Sequence, residues 1–209
     1  MASSKTGAVV TGPRFILASA SPRRRQLLEQ IGFPPDEILP ADIDETEAPG
    51  ELPRVLAGRL AAEKAAVIAG AHPGAVVLGS DTVVAVGRRI LPKTETREEA
   101  AACLDLLSGR AHRVFTGIAV AGPGEGVLRQ RIVETRVKVK QLSAQERAAY
   151  LDCGEWAGKA GGYGIQGGFS AFIIQIVGSY SAVVGLPLYE TANLLSAALG
   201  RSVNFGSSK

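Results

Sequence analysis

Apolar positions along the chain fall into two repeating patterns, unbroken or alternating short runs and runs at helical spacing, and these predict a mixed α/β fold. Phe15 to Ala18 is a short apolar run. Ser21-Pro22 then supplies an N-cap with proline at the first helical position, ahead of Leu27, Leu28 and Ile31 at helical spacing, with Gly32 as the stop. An acidic loop from Asp42 to Glu51 leads into an alanine-rich helix expected from about Leu52 to Ala69 and ended by Gly70. Ala75 to Leu78 reads as a central buried strand that meets Gly79-Ser80-Asp81-Thr82 and resumes through Val83 to Val86, so polar groups are placed on a core strand.

Further along, Gly87-Arg88-Arg89 predicts a hairpin turn into Ile90-Leu91, and Thr96 with Glu99 forms a capping box for a helix through Leu107. Alternating stretches, Val114 to Ala121 and Val127 to Val139, flank a glycine-proline turn at Gly122 to Gly126, the pattern of a long antiparallel hairpin. Ser143 and Glu146 make a second capping box for a helix to Cys153. A glycine-rich loop from Gly154 to Gly168, a strand from Phe169 to Val177 and a closing helix from near Pro187 complete the order. Hairpins beside strand-helix units predict a mixed sheet flanked by helices, in two lobes with a cleft between them. The expected organisation is a leader over residues 1–13, a single catalytic domain over 14–200 and a tail over 201–209.

Composition narrows the picture. At 46% hydrophobic and 21% charged residues over 209 positions, the chain can bury a sizeable core, which excludes a disordered or fibrous class. A net charge of +3, with Lys and Arg spread along the chain, leaves no basic stripe for nucleic acid, so any anion site is local. Cys103 and Cys153 have no CxxC spacing, and His72 and His112 fall in no ligand cluster, which argues against zinc. The apolar stretch from Phe169 to Leu199 is divided by Gly178, Gly185, Pro187 and Glu190 into pieces too short to span a membrane, and the apolar run at Ala8 to Val10 is too brief for a signal peptide. A cytoplasmic protein is expected.

Four groups of residues bear candidate chemistry. Ser19-Ala20-Ser21-Pro22-Arg23-Arg24 presents two hydroxyls, free amides and two guanidinium groups at a helix start, a corner suited to polyphosphate, although Ser21 is equally a plain N-cap. Asp81-Thr82, with Glu45 from the acidic loop, offers carboxylates of the kind that hold magnesium and take a proton from water, although Asp81 also reads as a turn residue and Glu45 as a solvated acid. Lys64 and Lys93 are ordinary surface lysines unless they join these groups. In the glycine-rich loop, Trp156 and Tyr163 are aromatics that can stack on a base, and Gln166 can read its edge.

As an ordered set, SASPRRRQLL, the loop ending Asp44-Glu45, AAEKA, GSDTVV, the Lys93 loop, HRVFTG, EWAGKAGGYGIQG and GSYSAVVGLPL resemble the Maf family of nucleotide pyrophosphatases, from Ser19 to Leu188. The resemblance implies an inosine-triphosphatase-like α/β fold with an elongated mixed sheet, a nucleoside triphosphate substrate held in the cleft, a divalent metal (Mg²⁺ or Mn²⁺) and, at most, homodimerisation. It implies Asp81 as catalytic base and, with Glu45, metal ligand. Arg24, Lys64 and Lys93 would complete the polar set around metal and phosphates, and Ser19 and Ser21 would be the phosphate-loop hydroxyls. Arg23, Thr82 and Gln166 resemble the dTTP/UTP-preferring branch. The alternatives are a 7-methyl-GTP pyrophosphatase and a nucleotide-binding regulator of septum formation with little turnover. The chain departs from the family pattern at Leu91-Pro92-Lys93, where Gly-Lys-Pro is usual, and at Ala182, where asparagine is common.

Overall fold

The computed structural model describes residues 12–124 and 128–205. In chain order the elements are β1 (Phe15–Ala18), α1 (Pro22–Gln30), β2 (Glu37–Ile38), α2 (Pro53–Ala71), β3 (Val76–Val86), β4 (Arg89–Leu91), β5 (Lys93–Thr94) and α3 (Arg97–Leu107). There follow β6 (Ala111–Ala121), β7 (Leu128–Val139), α4 (Ala144–Cys153), β8 (Lys159–Ala160), a 3₁₀ turn (Gly168–Phe172), β9 (Ile173–Val177), α5 (Tyr180–Val184) and α6 (Leu188–Leu199). The main sheet runs β2-β1-β3-β6-β7-β9 with β4 on the flank of β3, and β5 pairs with β8 in a small separate sheet. Among the described residues only the β1 pairings with β2 and β3 are parallel. The sheet is therefore mixed, as the coexistence of hairpins and strand-helix units predicts.

Side-chain alternation on β3 assigns its two faces. Val76 and Leu78 pack with Phe15, Leu28 and Leu195 on the side of α1 and α6, while Val77 packs with Ala61 and Ala65 of α2 on the other. Each fully buried Leu or Phe of these clusters contributes about 1.5–3 kcal/mol by leaving water. A third cluster forms the second lobe, where α3 and α4 close over Val114, Val137 and Phe169. The alanine-rich sequence of α2 lets that helix ride directly on the sheet. A Cβ on Gly79 would stand 2.2 Å from the Ala61 carbonyl oxygen, and one on Gly117 would stand 2.1 Å from that of Ala57. No other residue type fits at either position.

Several boundaries differ from the sequence expectation. Helix α2 passes through Gly70 and ends at Ala71 with His72 as its C-cap, because burial of Ile68 and Ala65 against the sheet outweighs the modest helix cost of one glycine. The expected strand over Phe169 to Val177 begins as a 3₁₀ turn, since Phe169 must reach back into the second-lobe core beside Tyr150 and Tyr163. The helix α5 between Ser179 and Gly185 carries no sequence signal strong enough to have been expected at five residues. Both capping boxes form, Thr96 with Glu99 and Ser143 with Glu146. The tip of the β6–β7 hairpin over residues 125–127, residues 1–11 of the expected leader and residues 206–209 of the expected tail lie outside the described residues. Within the tail, the Arg201 guanidinium sits 5.3 Å from the centroid of the Phe33 ring.

Candidate active site

The cleft exists because β3 loses a neighbour. On one edge, β6 pairs with β3 continuously from Val77 to Ala85. On the other edge, β1 pairs with Val76 to Gly79 and β4 with Val84 to Val86, which leaves residues 80–83 open to a cavity of about 410 Å³. That volume lies within the roughly 300–1,000 Å³ of small-molecule sites. Asp81 and Thr82 are successive strand residues and so point to opposite faces of the sheet. Both line the same cavity because the missing neighbour opens it through the sheet.

On the α2 face, the close approach of that helix brings Lys64 Nζ to 2.7 Å from Asp81 Oδ1, in a pair of which Asp81 is 2% and Lys64 6% exposed. Lys64 Nζ also lies 2.5 Å from Glu45 Oε1, and Lys93 pairs with Glu45 Oε2. Asp81, Lys64, Glu45 and Lys93 thus form one chain of alternating charge. Burial pushes the Glu45 carboxyl up, but its bonds to the two ammonium groups outweigh that and hold it at about 2. The acidic loop is held over α2 by Arg59, which bonds the Thr46 carbonyl at 2.9 Å and grips Glu51 with two nitrogens at 2.9 Å each. Arg59 was not singled out by sequence. Its signal was its place on the helix that carries Lys64, little more than one turn earlier.

On the opposite face, Arg24 is held by neutral partners alone. Its Nε donates to the Gly185 carbonyl at 2.9 Å, Nη1 to Ser19 Oγ at 2.9 Å and Nη2 to Thr82 Oγ1 at 3.4 Å. Burial lowers the Arg24 pKa from its ordinary value, while Asp81 and Glu45 oppose that and Arg23 adds to it. Thr82 Oγ1 lies 3.2 Å from Thr116 Oγ1, and Thr116 in turn donates to the Ala182 carbonyl at 2.7 Å. The backbone of Ala182 thus braces this wall although its side chain is not asparagine. Ser21 occupies the N-cap position of α1 with proline following, as expected, yet its side chain makes no capping bond. Ser21 lines the cavity at the positive end of the α1 dipole.

Each of the ten residues to which the family resemblance gives a role, Ser19, Ser21, Arg23, Arg24, Glu45, Lys64, Asp81, Thr82, Lys93 and Gln166, lines this cavity. The altered loop at Leu91-Pro92 still delivers Lys93, because Pro92 accepts a bond from Gly161 N at 2.9 Å and Lys93 pairs in register with Ala160. Lys159 joins the wall as well, bringing the charged groups to five cations and two carboxylates. Trp156 does not. Its indole N–H donates to the Leu151 carbonyl at 2.8 Å and its ring packs on the second-lobe core, so only Tyr163 of the two loop aromatics borders the cavity. Among the described residues, no three His, Cys, Asp or Glu side chains cluster as a self-sufficient metal site. Two carboxylates do suit a hard cation that draws its remaining ligands from phosphate and water.

The family profile described as Maf-like protein matches residues 14–198. A dTTP/UTP pyrophosphatase of Maricaulis maris (strain MCS10) is 63% identical over 187 residues, covering 88% of each chain. A dTTP/UTP pyrophosphatase of Caulobacter vibrioides is 57% identical over 188 residues, 90% of this chain and 97% of that one. One of Bradyrhizobium diazoefficiens is 55% identical over 200 residues, 93% of this chain and 95% of that one. Among solved structures, the Ham1 protein of Staphylococcus aureus matches 60% of this chain and 71% of its own at a TM-score of 0.39 and 14% identity. With a profile match over nearly the whole described chain and relatives above half identity along it, the chain belongs to the Maf family.

Proposed function

We propose that this chain hydrolyses dTTP and UTP between the α and β phosphorus atoms, releasing the nucleoside monophosphate and pyrophosphate, as a house-cleaning enzyme of the nucleotide pool. The observation that carries the reading is the buried Asp81–Lys64 pair at the open stretch of β3, facing a cavity with an excess of three positive charges. The printed names of the relatives, dTTP/UTP pyrophosphatase, support the same substrates.

A triphosphate carries about four negative charges at neutral pH, and Arg23, Arg24 and the α1 amides are held by no carboxylate. They bind and orient the phosphates against Ser19 and Ser21. Lys64 holds Oδ1 of Asp81 and leaves Oδ2 to accept a proton from the water that attacks the α phosphorus. Lys64 and Lys93, already poised on Glu45, meet the charge that develops on the departing pyrophosphate. Asp81 and Glu45 would hold Mg²⁺ or Mn²⁺ together with phosphate oxygens, and the ion supplies charge neutralisation along the triphosphate when bound. Gln166 reads the base edge.

In this reading the chain works in the cytoplasm as one catalytic domain over residues 14–200, with a leader before it and a tail after it. Its partner is a nucleotide; it engages neither nucleic acid nor membrane, and it can pair as a homodimer. No helix among the described residues is long and apolar enough to cross a membrane. The test is product analysis with dTTP, UTP, CTP and 7-methyl-GTP, with and without chelator. Monophosphate and pyrophosphate from dTTP and UTP, abolished by chelation, are expected. Orthophosphate with a diphosphate left behind would place the attack on the wrong phosphorus, and a clear preference for 7-methyl-GTP would move the chain to the other branch of the family.

A further inference from the structure

Lys159 is the one cation of the cavity wall that the chemistry above leaves unused. It lies in β8, its main chain fixed by pairing with Thr94 of β5 and its ammonium donating to the carbonyl of Glu155 and, at 3.5 Å, to that of Ala157. Those bonds leave one of its three N–H donors free. Burial lowers its pKa first, then Arg23, while Glu155 and Cys153 oppose this, and both of its hydrogen bonds go to carbonyls of its own loop. It therefore stands apart from the carboxylate–lysine chain.

Its position is tied to another side chain. A Cβ placed on Gly164 would lie 3.1 Å from Lys159 Cε and 3.1 Å from Gln166 Nε2, so the two side chains flank the same bare glycine. Gly161 and Gly162, at φ values of 70° and 69°, make the turn that folds the loop back to this point, and Gly161 packs directly on Val84. A ligand edge that meets the Gln166 amide is thereby brought within reach of the Lys159 ammonium.

The chemical consequence follows from what each group can do. A glutamine amide is both donor and acceptor, and by turning over it can match uracil, thymine or cytosine. An ammonium only donates. Uracil and thymine carry a carbonyl at position 4, whereas cytosine carries an amine there, which an ammonium repels.

We propose that Lys159 donates to the O4 carbonyl of the bound base beside Gln166, and that this donor-only group discriminates uracil and thymine from cytosine. The inference rests on the pyrimidine triphosphate reading of the same site and adds the residue that breaks the ambiguity of Gln166.

The test compares kcat/KM for UTP, dTTP and CTP in the wild-type protein, Lys159→Met and Lys159→Gln, together with inhibition by UMP and CMP. In the wild type, UMP and pyrophosphate from UTP establish the underlying reading, and their absence would defeat that reading independently of any variant. Given that activity, Lys159→Met should lower kcat/KM for UTP and dTTP about tenfold and leave CTP unchanged or improved, so that the UTP-to-CTP ratio falls by about ten. Inhibition by UMP should weaken and that by CMP should not. Lys159→Gln, able to present an acceptor as well as donors, should raise CTP relative to Lys159→Met. A uniform loss across UTP, dTTP and CTP in both variants, with the UMP-to-CMP ratio unmoved, would assign Lys159 to the phosphates or to loop structure and overturn the proposal.

Discussion

Along the β3–β6 pair, Asp81 and Lys64 form a buried ion pair at 2.7 Å, whereas His112 and Tyr163, nearer the second lobe, form a neutral hydrogen bond of the same length. Both are deeply buried, but their surroundings differ. The ion pair abuts a stretch of β3 that lacks a neighbour, and Glu45, Lys93 and Arg24 surround it. The neutral pair packs on the second-lobe core, with only Tyr163 also bordering the cavity: the two rings meet edge-on at 5.4 Å, and Tyr163 packs on Phe169 with ring centroids 4.7 Å apart. Burial alone pushes His112 down to about 4, and burial with a smaller contribution from Tyr150 raises the Tyr163 hydroxyl, so both are uncharged at neutral pH. Buried charge survives where opposite charge and a ligand-accessible cavity meet it, and elsewhere the protein keeps its buried polar groups neutral. Among the described residues His112 Nδ1 has no hydrogen-bond partner, a cost tolerable only for a neutral ring.

The sharpest way to break this contrast is to remove the charge at the cavity. Asp81→Asn keeps the shape and the bond to Lys64 but cannot take a proton, so turnover of UTP should fall roughly a hundredfold or more while the variant stays folded and binds nucleotide. Near-normal turnover in a folded variant would remove Asp81 from the role of base.

At the neutral pair the effect is on stability. The unfolded chain protonates His112 from about 6.5 downward, while the folded protein resists until about 4, so the stability present above 6.5 is lost as the pH falls through that window. Chemical denaturation of the wild type should show a loss of up to about 3 kcal/mol from this residue by pH 4, and His112→Gln should lack that part of the slope. Equal slopes in the two proteins would mean that His112 is already charged, or hydrated, in the folded state.

Gln166 is exposed on the cavity wall, and the proposed function gives it the base edge to read. Gln166→Glu should lower kcat/KM for UTP and dTTP roughly tenfold to a hundredfold and narrow their advantage over 7-methyl-GTP, as expected for mismatching one hydrogen-bonding edge. An unchanged ranking of substrates would show that it does not read the base.

The smallest effect belongs to Glu45. Its carboxyl, held at about 2 against an ordinary 4.5, adds stability above the ordinary carboxylate range and loses it as the pH falls from about 4.5 to about 2. Its side chain is 38% exposed, so solvent screening should limit the cost of Glu45→Gln at pH 7, measured without metal, to no more than about 1 kcal/mol. A cost of several kcal/mol would mean that the whole charged chain is far drier than its exposure indicates.

What the sequence determined by itself is what local chemistry determines. Thr96 with Glu99 and Ser143 with Glu146 cap their helices because both partners lie within one turn, and Val76 to Leu78 forms a core strand because an unbroken apolar run has no other stable place. The ten cavity residues were legible through the ordered set of their motifs, since taken singly Lys64, Lys93 and Glu45 read as ordinary surface residues. What the tertiary structure decided is which groups meet. The extension of α2 past Gly70 and the packing of Trp156 on the second-lobe core depend on partners far along the chain, while the arrival of Lys159 beside Gln166 and the clamp of Arg59 on the acidic loop depend on how whole loops fold back. So does the cleft itself. No residue of Ser80 to Val83 announces that β1 ends before them and β4 begins after them, yet that gap alone lets Asp81 and Thr82, on opposite faces of one strand, share a single cavity.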